Sequence, residues 1–129
     1  MPLTLHVEPA KDLVYIEATG TVTLDEVLQL VENLSVAGTD IRGRNGIIDA
    51  GRATGTTLTF DSVRRVSDQV TRVEEIFRGT RWAIIATSDV MFGIARIYET
   101  LRMGKSFDVR AFRSRRDAES WIKESKSVA

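Results

Sequence analysis

A chain of 129 residues with 43% hydrophobic side chains has the size of one domain, residues 1–129, built around one core. Eighteen Lys and Arg balance eighteen Asp and Glu, so no bulk field steers the protein toward nucleic acid or an anionic membrane. The lack of cysteine excludes disulfides, thiolate metal sites and cysteine nucleophiles, and it fits a reducing, cytoplasmic setting.

Leu3, Leu5 and Val7 alternate with Thr4, His6 and Glu8, which predicts a first strand with one solvated face and argues against a signal peptide. Pro9 to Asp12 reads as a turn, and Leu13 to Ala18, apolar on both phases, as a more buried strand paired antiparallel to the first. Thr23 and Glu26 form a capping box for a helix with Leu24, Val27, Leu28, Val31 and Leu34 on its inner face, stopped near Gly38. After the turn at 42–46, Ile47 to Ala50 reads as a short buried strand, and Gly51 to Thr59 as a loop rich in glycine and threonine.

Val63, Val66, Val70, Val73 and Phe77 place one stripe on a second helix running from Phe60 to Phe77. Trp82 to Ala86 has the continuous apolar character of a strand buried on both faces. Ser88 or Asp89 caps a third helix that reaches Met103 and stops at Gly104. Phe107 to Phe112 gives a last strand nearer an edge, and Ser114 with Asp117 opens a terminal helix in which Ala118, Trp121 and Ile122 face inward. The order ββαβαβαβα predicts an α/β fold with a five-stranded mixed sheet, its parallel core joined to an N-terminal antiparallel hairpin and covered by helices. No apolar run approaches the roughly 20 residues of a membrane span, so no membrane insertion is expected.

Catalytic designs are scarce in this sequence. His6 is the only histidine and falls on the polar phase of its strand, which excludes a Ser-His-Asp triad and a multi-histidine metal site. No Walker lysine motif, dinucleotide fingerprint or HExxH is present, and the glycines at 51 and 55 have the wrong spacing for a phosphate loop. No catalytic residue, metal or cofactor is therefore expected. Asp49 ends a strand, where ligands of open α/β sheets collect; it reads either as a carboxylate that binds neighbouring loop amides or as part of an anion or switch loop. The second reading brings in Thr56, Thr57, Thr59 and Ser62, hydroxyls leading into the N-terminus of the next helix. Enzymatic use of Asp49 ranks last, since no general base accompanies it.

The third helix carries more apolar surface than one sheet contact needs. Val90, Ile94, Ile97 and Leu101 read as its core stripe, while Met91, Phe92, Ala95, Tyr98 and Met103 extend beyond it. That excess suits a helix wedged among neighbours, a homodimer seam or the wall of an apolar pocket. Arg113, Arg115, Arg116, Lys123 and Lys126 form a basic C-terminal face without the interleaved aromatics of a nucleic-acid site.

Five segments, Gly46 to Asp49, Trp82 to Ala86, Phe92 to Tyr98, Val109 to Arg113 and Ala118 to Ile122, resemble the STAS/SpoIIAA-like fold, in particular its small bacterial SpoIIAA-like proteins. The resemblance spans most of the chain and implies a non-catalytic regulatory or protein-interaction module, whose partner is a second copy of itself or another regulatory protein. In anti-sigma-factor antagonists of this fold, the phosphorylated serine lies two residues after the strand-ending aspartate; the position here is Gly51, with Ser62 or Thr57 in similar space. Lipid-carrier likenesses within the fold imply the alternative, a carrier or sensor of a small apolar ligand.

Overall fold

The computed structural model describes residues 3–127, with side chains through Glu124, so Met1, Pro2 and the Lys126 side chain of the basic face lie outside it. The hairpin forms as the alternation predicts: β1 (Leu3–Glu8) pairs antiparallel with β2 (Leu13–Val22), and Asp12 turns the chain with φ of 53°. The capping box also forms, with Thr23 N donating to Glu26 Oε1 at 3.1 Å, and it opens α1 (Leu24–Val36). A short α2 (Gly38–Ile41) leads into β3 (Asn45–Thr56). Then follow α3 (Phe60–Thr71), β4 (Arg81–Ile85), α4 (Asp89–Leu101), β5 (Asp108–Phe112) and α5 (Arg115–Ser127).

The sheet order is β1-β2-β3-β4-β5, antiparallel at the first pair and parallel thereafter. Because β2 to β5 advance in one direction, right-handed crossovers put α1, α3 and α4 on the same face. Only α5, after the last strand, covers the other. Three helices do not fit side by side on this narrow sheet. Those that touch it are α1, against β1, and α4, against β3 and β5; α3 packs on α1 and α4 and rides above the gap between them.

Two glycine and packing details set the core. Gly46 sits directly opposite Trp82 across the β3–β4 pair, and a Cβ there would overlap the indole carbons Cε3 and Cζ3. Only glycine lets that ring lie flat over the neighbouring strand. The indole meets Phe77 edge-on at 5.4 Å, and Phe77 in turn meets Phe107 at 5.2 Å.

Three sequence expectations change. Instead of stopping at Ala50, β3 runs to Thr56, pairing with β2 through two bulges where Asp49 to Arg52 and Ala53 to Gly55 each carry an extra residue. Threonine favours extended backbone, so the segment 51–56 is a bent arm of the sheet rather than a loop. The second helix ends at Thr71, and a separate 3-10 turn, Glu74–Phe77, drives Phe77 into the core. In α4 the inward stripe is Met91, Ala95, Tyr98 and Arg102, whereas Val90 is 63% exposed. Arg102, which follows the helix, is buried in phase with this stripe and bonds Ser67, Thr71 and Glu74.

Candidate functional site

Asp49 points toward α5, and its carboxylate is fully engaged. Gly51 N donates to Oδ1 at 2.9 Å, and the Tyr15 hydroxyl donates to Oδ2 at 2.8 Å. Arg115 from α5 approaches Oδ2 at 3.7 Å and stacks its guanidinium 5.0 Å from the Tyr15 ring. The Gly51 bond fastens the first bulge of β3, which is the loop-amide role the sequence allowed. Burial, followed by the hydrogen bond and charge of Asp49, pushes the Tyr15 hydroxyl up to about 12.

Of the other switch-loop candidates, only Gly51 joins Asp49, through its backbone N–H. Gly51 lies within β3, and a Cβ there would come 3.0 Å from Asp49 Oδ1. Thr57 is exposed and donates its N–H to Val22 O at 3.1 Å. Ser62 sits in the first turn of α3, where its N–H donates to the capping Thr59 Oγ1 at 3.1 Å. Since Asp49 faces α5 and Ser62 belongs to the opposite helix layer, Asp49 and Gly51 are separated from Ser62 by the sheet. The strand order never reverses, so the sheet lacks the switch-point crevice that gathers ligands in doubly wound folds. Among the described residues no group of three or more His, Asp or Glu could hold a metal ion. No described helix is long and apolar enough to cross a membrane.

The α4 candidates divide differently. Met91 and Ala95 are buried, Tyr98 is largely covered, and all three line a cavity of about 150 Å³ between the sheet and the helix layer. Phe92 lies outside that wall, with Arg113 stacked 4.2 Å over its ring, and Met103 is 72% exposed. From the sheet the wall takes Ala18, Ile48, Ala50, Trp82 and Ile84; from α3 it takes Val63, Val66 and Val70. Every lining side chain is aliphatic, aromatic or methionine, and none is charged. Burial pushes the Tyr98 hydroxyl up to about 12, as expected for a phenol beside an apolar space.

The cavity follows from the lifted position of α3 and from what that helix points downward. Its buried positions are Val63, Val66, Ser67 and Val70, all short side chains, and the three valines form the helix side of the cavity wall. The sequence displays this stripe of valines, although the height at which the helix rides cannot be read from spacing.

Two buried groups were missed by sequence reasoning. Arg102, fully buried at the end of α4, donates to Ser67 O at 3.2 Å, to Thr71 Oγ1 at 2.8 Å and to Glu74 Oε2 at 3.2 Å, and stacks on Phe107. It fastens the C-terminal half of α3 to α4. The Trp82 indole N–H is buried without an acceptor among the described residues. Its only available signal was the ring's place in a wholly apolar run.

Solved structures share this architecture. A protein of the DUF3478 family from Shewanella loihica PV-4, described as having a SpoIIAA-like fold, matches with a TM-score of 0.62 at 19% identity, over 93% of each chain. The anti-sigma factor antagonist SpoIIAA in its unphosphorylated form matches at 0.56 and 15% identity, over 94% of this chain and 97% of its own. No protein-family model and no curated protein matches the sequence. The chain thus has the SpoIIAA-like fold that its core segments resemble. Identities this low establish the fold alone.

Proposed function

We propose that this protein is a non-enzymatic regulatory or interaction module of the STAS type that responds to a small apolar molecule held beneath α3. The observation that carries this reading is the cavity of about 150 Å³ lined entirely by apolar and aromatic side chains. A space of that kind favours apolar molecules, because water entering it finds no charged group and, among the lining side chains, only the Tyr98 hydroxyl and the Trp82 indole N–H as possible partners. Asp49 supports the non-enzymatic part: both its oxygens already hold bulge, tyrosine and arginine contacts. The likeness to an anti-sigma factor antagonist supports a partner protein as the reader of occupancy. Gly51 offers no hydroxyl at the position the resemblance assigns to phosphorylation, so occupancy of the cavity supplies the input.

Thermal unfolding against a panel of uncharged apolar compounds, with native mass spectrometry of the gently purified protein, tests this directly. A co-purifying mass or a concentration-dependent rise in the midpoint is the expected result. A clean mass with a flat midpoint across the whole panel refutes it.

A second reading, self-association through α4, draws on its two exposed apolar ends, Val90 at 63% and Met103 at 72%. Light scattering on wild type and on Val90→Asp with Met103→Asp decides it. A dimer that becomes a monomer is expected on that reading, and an unchanged mass removes it.

A further inference from the structure

We propose that the cavity accepts a compact, uncharged molecule of about the size of one six-membered ring, and that α3 is a hinged cover whose valines set this limit. This rests on the reading that the cavity is a ligand site.

Size comes first. At about 150 Å³ the space compares with apolar cavities that take up benzene, and since it is partly open to the surface an extended acyl chain enters only with most of its length left outside. Charge is excluded by the wall: no lining residue is ionised at neutral pH, and a carboxylate brought there finds no cation to offset its lost hydration. A ring of hydrocarbon character, with at most a weak polar substituent, satisfies both limits.

The cover is defined by how α3 is attached. Its C-terminal half is fastened by Arg102, which holds Ser67 and Thr71 on one side and Glu74 just beyond the helix on the other. Among the described residues, side-chain hydrogen bonds of residues 60–66 stay within the first turns of the helix and its cap, as in Thr59 with Ser62 and Asp61 with Arg64. The first turn also leaves Phe60 58% exposed. At that end the cavity wall includes Leu58 and Ile94, both only partly covered. Between the Thr56 and Thr57 bonds to Val22 O that end β3 and the Arg102 tie, the N-terminal half of α3 makes no side-chain hydrogen bond to another element among the described residues, so it can lift as a segment pivoting on those two fixed ends. In the closed position Val63, Val66 and Val70 form the ceiling, so one added methylene on any of them takes space directly from the ligand.

The test titrates cyclohexane, benzoate and decan-1-ol into wild-type protein and the Val66→Leu variant, reading methyl NMR shifts and the unfolding midpoint. Cyclohexane is expected to move the Val63, Val66 and Val70 methyl signals and raise the wild-type midpoint, while benzoate and decan-1-ol do neither. Val66→Leu should weaken cyclohexane by about tenfold or more. Hydrogen exchange of the wild type needs no variant: cyclohexane should slow exchange at residues 63–66 more than at 67–71. Decan-1-ol or benzoate binding as well as cyclohexane, or uniform slowing along α3, overturns the inference and leaves an apolar or amphipathic ligand site standing. If none of the three probes moves a methyl signal or the midpoint, the inference and the proposed ligand function fall together.

Discussion

The two faces of the sheet are packed in different ways. Under α5, Leu13, Tyr15, Ile47, Ala83 and Ile85 meet Ala118 and Ile122, and the paired alanines at 83 and 118 let the helix settle directly on the strands. On the opposite face α1 and α4 touch the sheet, α3 spans them, and a cavity remains below. One face is closed by small residues in contact; on the other, short valines of α3 leave part of the space beneath them unfilled. The contrast teaches that crossover topology, by crowding three helices onto one face, can create a binding space without any special motif.

The largest expected effect comes from cutting the tie that holds α3 in place. Arg102→Ala should cost about 3 kcal/mol in chemical denaturation, since it removes a buried stem, its stacking on Phe107 and the charged hydrogen bonds that join α4 to Ser67, Thr71 and Glu74. Enlarging a residue should have opposite signs on the two faces. Ala83→Leu under α5, where no space exists, should destabilise by about 2 kcal/mol. Val66→Leu under α3 should stabilise by about 0.5 kcal/mol by filling part of the cavity. Equal losses at both positions would show that the helix layer is as tightly packed as the α5 face.

A smaller effect lies in alkaline solution. Tyr15 and Tyr98 titrate near 12 in the folded protein, against 10.0 for a free phenol. The folded state therefore holds their protons more tightly, and the stability this confers is complete below pH 10 and lost as the pH rises toward 12. Denaturation midpoints measured across that window should fall, and Tyr15→Phe should flatten the fall by removing one of the two contributions. A slope unchanged in Tyr15→Phe would mean that burial and the Asp49 contact together do not hold the phenol's proton.

Much of this architecture was legible in the chain. Period-two alternation at Leu3 to Val7, the Thr23–Glu26 capping box and the apolar run at Trp82 gave the elements and their order, because each signal is local. The arm of β3 beyond Asp49 was not, since glycine and threonine between two helices read as a loop until β2 is there to pair with. The phase of α4 was lost for a related reason: Arg102 is buried only because Ser67, Thr71 and Glu74, far away in sequence, supply acceptors. Of the five residues named as dimer or apolar-pocket surface, Met91, Ala95 and Tyr98 lie against the cavity and Phe92 and Met103 do not, whereas the valines of α3 were read simply as core. Whether a valine fills space or leaves it depends on how far its helix stands from the sheet. No periodicity encodes that distance.

The asymmetry of the two faces is tested most directly by xenon, which enters dry cavities without needing any polar partner. Methyl NMR of the wild-type protein under xenon pressure should show saturable shifts at Val63, Val66, Val70 and Ala95, with Ile85 and Ala118 on the α5 face unmoved. Shifts absent from the α3 valines, or equal on both faces, would contradict the account.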